Sequence, residues 1–281
     1  MQAFAGLGAP SASADPMTAQ PSVLFVGHGS PLLAVEPGEA GAALRALAAT
    51  LEPPRAVLVV SPHWESELPT VSAAERLETI HDFGGFPQEL YALQYPAKGS
   101  PEAAQEVVTA LGNGGFAVTT DPARGLDHGA WVPLRYLLPG AEVPIVPLSI
   151  QHRQGPGHAY RMGQALAPLK ERGWLILATG NITHNLGDWQ QANRGSAVDT
   201  AYAQRFADWI HTQISTHQVE ALLHYRQHHP DGVRAHPRDE HLLPLFTALG
   251  AAGPNSQVHA IHRGIRDHVI AMDSYQWACT R

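Results

Sequence analysis

Short apolar runs recur along this chain, and several stop at a junction where glycine, proline or asparagine stands beside a histidine. The first, residues 23–26 (VLFV), is the unbroken apolar segment expected of a strand covered on both faces. It stops at GHGSP, where Gly27 and Gly29 let the backbone turn sharply around His28. Residues 39–51 carry leucines at 44, 47 and 51, the spacing of an amphipathic helix, and Pro53 and Pro54 end it. Residues 55–61 (RAVLVVS) form a second strand candidate, which runs into His63 within SPHWES. Parallel strands joined by a helical crossover place their carboxyl ends on one edge of the sheet, where ligand sites of open α/β sheets lie. His28 and His63 are therefore expected to be neighbours although 35 positions separate them.

The same grammar continues. Residues 68–73 and 116–120 read as strands and 101–112 as a helix with proline at its start and glycine at its end. His128 lies just before an apolar helix expected over 131–138. Residues 143–150 (VPIVPLSI) read as a strand whose Pro144 and Pro147 predict an edge or irregular position. A helix is expected over 160–172. The strand 174–179 (WLILAT) then runs into GNITHN, placing His184 just past its end. Residues 199–226 read as helical, 236–252 as a polar turn carrying His241 and then an apolar helix, and 257–263 and 269–277 as closing strands. The loop 81–96 (HDFGGFPQELYALQYP) is expected to be ordered at the surface, lining a cleft, with core packing the expected role of Phe83, Phe86, Tyr91 and Tyr95. With no internal repeat and no shift of composition, the pattern predicts an α/β fold: one domain over 21–281, helices on both faces of a mixed, mostly parallel central sheet.

Composition narrows the function. Residues 1–20 are small, polar and proline-broken, without the basic and apolar regions of a signal peptide, and are expected to be a disordered extension. No apolar run approaches the roughly 18 residues of a membrane span. The only cysteine, Cys279, cannot form an intrachain disulfide, which fits a cytoplasmic protein and excludes cysteine-based zinc binding. Eighteen lysines and arginines against 25 acidic residues give a formal charge of −7, which disfavours nucleic acid and anionic membranes as partners and favours a small molecule. Against this low charge stand 17 histidines, and neutral imidazole is the commonest metal ligand.

His28, His63, His128, His184 and His241 each sit at the start or end of an apolar element. Most of the others do not share this setting: His211, His217 and His268 fall in polar contexts, and the pair His224 and His228 lacks the glutamate of a zinc-protease helix and reads as a solvated face. Three imidazoles gathered from strand ends suit zinc, iron or a related divalent ion, and a coordination position left open implies catalysis. Phosphate-binding loops, the dinucleotide fingerprint and the serine-hydrolase elbow are all absent from the sequence.

VGHGSP at 26–31, SPHW at 61–64, HDFGGFP at 81–87, LDHGAWVPL at 126–134, GNITHNL at 180–186 and HPRDEHLLPL at 236–245 stand in one order. In that order they resemble the DODA-type extradiol aromatic ring-opening dioxygenases, a bacterial 4,5-DOPA dioxygenase branch of the class III extradiol superfamily, from about residue 21 to the end. The resemblance implies cleavage of a catechol by O2 on one Fe(II), with zinc as a substitute ion in isolated protein. It implies that His28 and His63 bind the metal. For the third ligand it matches His241, with Glu240 as the fallback; the two are adjacent, so their side chains are expected to diverge. His184 matches the general base and acid, in a family where some descriptions group it with the ligands, and His128 matches a second active-site histidine that hydrogen-bonds substrate or oxygen. Two other functions could use the same histidines: a zinc hydrolase that activates water, and a metal carrier or chelatase, which shares only the GHGS strand end.

Overall fold

The computed structural model describes residues 21–278; the extension at 1–20 and Cys279 lie outside the described residues. Among the described residues ten strands are formed: β1 (Pro21–Gly27), β2 (Ala56–Glu65), β3 (Thr70–Ser72), β4 (Thr119–Asp121), β5 (Ile145–Ile150), β6 (Trp174–Gly180), β7 (Gln257–His262), β8 (Ile265–Arg266), β9 (Ile270–Ala271) and β10 (Ser274–Ala278). Eight build one sheet in the order β4-β3-β5-β2-β6-β1-β10-β7, while β8 and β9 pair separately. The central block β5-β2-β6-β1 is parallel throughout, with Val57 opposite Ile145 and Leu175, and Val23 opposite Ile176. Antiparallel pairing is confined to its flanks, β10 with β1 and β7, and β3 with β5.

Burial explains why the central strands read as continuous apolar runs. Val23–Val26, Val57–Val60 and Leu175–Ala178 are inaccessible on both alternating faces, so both faces of the sheet are covered. Helices Gly38–Ala48 and His128–Leu137 pack together on one face, and helices Gly155–Leu166 and Leu243–Ala252 on the other. Every residue of Leu243–Ala252 is buried, and each Leu or Phe so covered contributes roughly 1.5–3 kcal/mol. This is the α/β domain with helices on both faces of a mixed sheet. Among the described residues, no helix is long and apolar enough to cross a membrane.

Several elements depart from the pattern reading. β5 is interior, between β3 and β2, despite its prolines. Pro144 O accepts from Val57 N of β2, whereas Ile145 N turns the other way to Lys98 O. Alternation then points the missing Pro147 donor away from β2, toward β3, which pairs with β5 only at Val71 and Leu148. The helical stretch over 199–226 breaks into Ala201–Ser215, Val219–Leu223 and Tyr225–His228. His217, at φ 55°, ends the first with the bonds Gln218 N to Gln213 O and His217 N to Ile214 O, a Schellman motif with histidine where glycine is usual. The helix after the LDHGAW motif begins at His128 instead of residue 131, because Asp127 caps it by accepting from Ala130 N.

Candidate active site

The end of β6 is the hub on which the site is assembled. His28 N donates to Gly180 O at 3.0 Å and Gly29 N to Asn181 Oδ1 at 2.9 Å, so the turn after β1 is tied to the end of β6. On its other side Asn181 N donates to His241 O at 3.0 Å, and a Cβ on Gly180 would lie 2.1 Å from that oxygen. Only glycine lets the segment bearing His241 come this close. His184 N donates to Ala235 O, which fixes His184 against the same segment. His63 is carried by β2 itself. The helix holding His128 abuts His63, where a Cβ on Gly129 would fall 2.5 Å from Ser61 Oγ and 2.8 Å from His63 Cδ2. Beneath that contact, buried Asp127 accepts from Ser61 Oγ at 2.5 Å and from Arg124 at 2.9 Å.

All five histidines singled out from the sequence converge. His28 and His63 face each other through their Nε2 atoms, 3.2 Å apart. Ring centroids lie 4.1 Å apart for His63 and His128, 5.5 Å for His28 and His128, 5.4 Å for His28 and His241, and 5.0 Å for His63 and His241. His184 stacks on His241 at 3.5 Å and 15°. Potential ligand atoms within 4.8 Å of one another sort into two sets, His28, His63 and His128, and His184, Glu240 and His241. Glu240 and His241 do not diverge: they sit in a turn instead of a strand, and Glu240 Oε1 returns to within 2.8 Å of His241 Nδ1.

Burial sets the protonation of the cluster. It pushes His28 and His241 well below the ordinary imidazole value, His63 down to about 3 and His184 down to about 4, with the neighbouring imidazoles adding to each shift. At neutral pH these rings are uncharged and have lone pairs to offer. Below pH 6.5 the unfolded chain takes up protons that the folded site refuses, so the stability present above that value is lost as pH falls toward 4. The thermal midpoint of metal-free protein is expected to be flat from pH 8 to 7 and to drop from 6.5 to 4.5. An unchanged midpoint across that lower interval would contradict it.

Residues 25–271 match the family described as the catalytic LigB subunit of aromatic ring-opening dioxygenase. The chain belongs to this family. It is 38% identical over 262 residues to the 4,5-DOPA dioxygenase extradiol of Beta vulgaris, covering 91% of this chain and 96% of that protein. It is 36% identical over 259 residues to the protein of the same name in Escherichia coli K12, covering 90% and 93%. The crystal structure of an uncharacterised Escherichia coli K12 protein superposes with a TM-score of 0.74 at 31% identity, over 90% of this chain and 98% of that one. This LigB-family chain is an extradiol ring-cleaving dioxygenase, and its buried histidines form a metal-binding cluster.

Around the cluster of this LigB-family chain, the loop after β3 supplies a wall. Of its four aromatics only Tyr95 joins the core, where its hydroxyl donates to Leu138 O. Phe83, Phe86 and Tyr91 are half-buried and pack on one another, with Phe83 edge-on to His128 at 5.7 Å. Phe83 packs against the core from its partly buried position and also meets the cluster, whereas Phe86 and Tyr91 lie outside the core and reach it through Phe83. A cleft of about 690 Å3 opens nearby, lined by Glu65, Gln151, His152 and Arg238 among others; Glu65 follows His63 by two residues, and Arg238 Nε lies 3.5 Å from Glu240 Oε2. The sequence reading missed Asp82, which lies 3.0 Å from His128 Nδ1 and 3.6 Å from His63 Nδ1. Its only sequence signal is its place in HDFGGFP. It also missed His236, buried with Nε2 on Ile182 O at 2.8 Å, a histidine that braces the backbone. His224 and His228 stay apart from the site, as a solvated pair.

Proposed function

We propose that this dioxygenase opens the ring of a catechol, DOPA-like in its substituent, and places both atoms of O2 in the product. One divalent ion, Fe(II) in the active form, is held by His28, His63 and His241. The observation that carries this reading is the 3.2 Å approach of two Nε2 atoms, of buried His28 and half-buried His63, on rings that desolvation keeps neutral. That donor set fits a divalent transition metal, whereas magnesium and calcium prefer oxygen ligands. When bound, Fe(II) supplies the redox capacity that joins catechol to O2, which zinc lacks.

The chain's own groups do the rest. His184, neutral and with Nδ1 turned toward Glu240 at 3.6 Å, accepts a catechol proton at Nε2 and returns it during ring opening. His128 gives a hydrogen bond to substrate or oxygen from the opposite side. Phe83 sets an apolar edge beside His128 and narrows the access of water, and the adjoining cleft gives a ring substituent room.

Protein loaded with Fe(II) under anaerobic conditions is expected to consume O2 with a 4-substituted catechol and to form a yellow ring-opened product, and zinc-loaded protein is expected to be inert. Iron bound without oxygen uptake across a catechol panel would sink the proposal. Oxygen-independent turnover with zinc would favour the hydrolase, and metal binding without catechol consumption the carrier.

A further inference from the structure

Two carboxyl groups stand behind the histidine cluster, and their contacts repeat one design. Asp82 Oδ1 lies 3.0 Å from His128 Nδ1 and accepts from His128 N at 2.8 Å, while Oδ2 lies 3.6 Å from His63 Nδ1. Glu240 Oε1 lies 2.8 Å from His241 Nδ1 and 3.6 Å from His184 Nδ1. Each carboxyl group therefore serves the rear nitrogens of two histidines, one closely and one at longer range. His28 Nδ1 has neither a hydrogen bond nor a carboxyl partner among the described residues; His128 Nδ1 also lacks hydrogen-bond geometry, so Asp82 holds His128 through the close ion-pair contact and the bond from its backbone N.

We propose that Asp82 and Glu240 are a matched pair of positioning residues, each holding the Nδ1 side of one metal-binding and one proton-handling histidine. The pairing of roles rests on the ligand set of the proposed function; the positioning itself rests on the distances alone. A carboxylate beside Nδ1 favours the tautomer with the proton there, which leaves the Nε2 lone pair for a metal or a substrate proton and fixes the ring orientation. Glu240 has its short contact on a ligand, His241, whereas Asp82 has its short contact on His128, a proton-handling group. The two carboxyl groups therefore have different principal effects: Glu240 on metal affinity, Asp82 on turnover.

The experiment uses the full chain labelled with 15N-histidine. Long-range proton–nitrogen spectra of metal-free protein read the tautomers, and chelator competition reads the affinity for Zn(II). In the wild type, His128 and His241 are expected to carry the proton on Nδ1. Glu240→Ala should move His241 away from that tautomer and weaken Zn(II) binding by about 10–100-fold, the usual cost of losing an outer partner of a ligand. Asp82→Ala should move His128, lower kcat of the iron-loaded enzyme more than it changes KM, and weaken Zn(II) binding less than Glu240→Ala does. Asp82→Asn and Glu240→Gln keep an acceptor oxygen and should restore much of each effect, which separates positioning from misfolding. The His28 tautomer should stay constant throughout. Unchanged tautomers of His128 and His241 in both alanine variants overturn the proposal, as does equal loss of metal affinity from the two. Failure of the wild type to take up metal would instead count against the proposed function, and the tautomers would still decide the positioning role.

Discussion

Replacing His63 with alanine is expected to abolish metal uptake and ring cleavage together. His63, like His28, touches three other rings of the cluster: its Nε2 faces that of His28 at 3.2 Å, and its centroid lies 4.1 Å from His128 and 5.0 Å from His241. Removing it takes away one of three proposed nitrogen donors and leaves a gap that water cannot fill with equivalent basicity. The loss of affinity should exceed the about 10–100-fold that accompanies loss of a group behind a ligand. The fold itself should persist. His63 stands at the polar tip of β2, beyond the buried run Val57–Val60 that anchors the strand, and Gly129 and Ser61 would face the space. Elemental analysis after gel filtration, beside oxygen uptake and circular dichroism, tests this. A folded variant that retains stoichiometric iron would remove His63 from the ligand set.

The central strands and their histidines were legible because their apolar runs are too short for helices and are bounded by glycine or proline, and because the carboxyl edge of a parallel sheet collects whatever follows each strand. His28, His63 and His184 come from β1, β2 and β6, which are adjacent in the sheet although the last enters more than a hundred residues after the second. That β6 would lie between β1 and β2 was not readable, since strand order depends on crossovers and not on local pattern. Asp82 was invisible for a related reason. An aspartate in a glycine-rich loop looks like a turn residue, and only the folding of that loop onto the helix at His128 reveals its partners. The divergence expected of Glu240 and His241 assumed regular backbone, which the turn there does not provide. Of the two positions the prolines of β5 offered, the irregular one holds and the edge does not, because a missing donor excludes one side of a strand from regular pairing and does not force the strand to the edge.

His184→Ala separates the two roles open to that residue. His184 stacks on His241 with its Nδ1 toward Glu240, and burial holds its pKa down at about 4, so at neutral pH it is a free base beside a proposed ligand. A group that only moves a proton contributes about 10²–10⁴-fold to the rate, so kcat of the iron-loaded variant should fall by that factor. KM should change little, because the catechol would still meet the metal and the Phe83 wall. The metal should stay, since His28, His63 and His241 remain in place and His241 keeps its 2.8 Å contact to Glu240. The decisive measurement is iron content beside single-turnover rate. If iron and turnover vanish together, His184 is a ligand, and the set of His184, Glu240 and His241 within 4.8 Å of one another is where the ion sits. The proton would then have to be handled from the other side of the site, by His128 against Asp82.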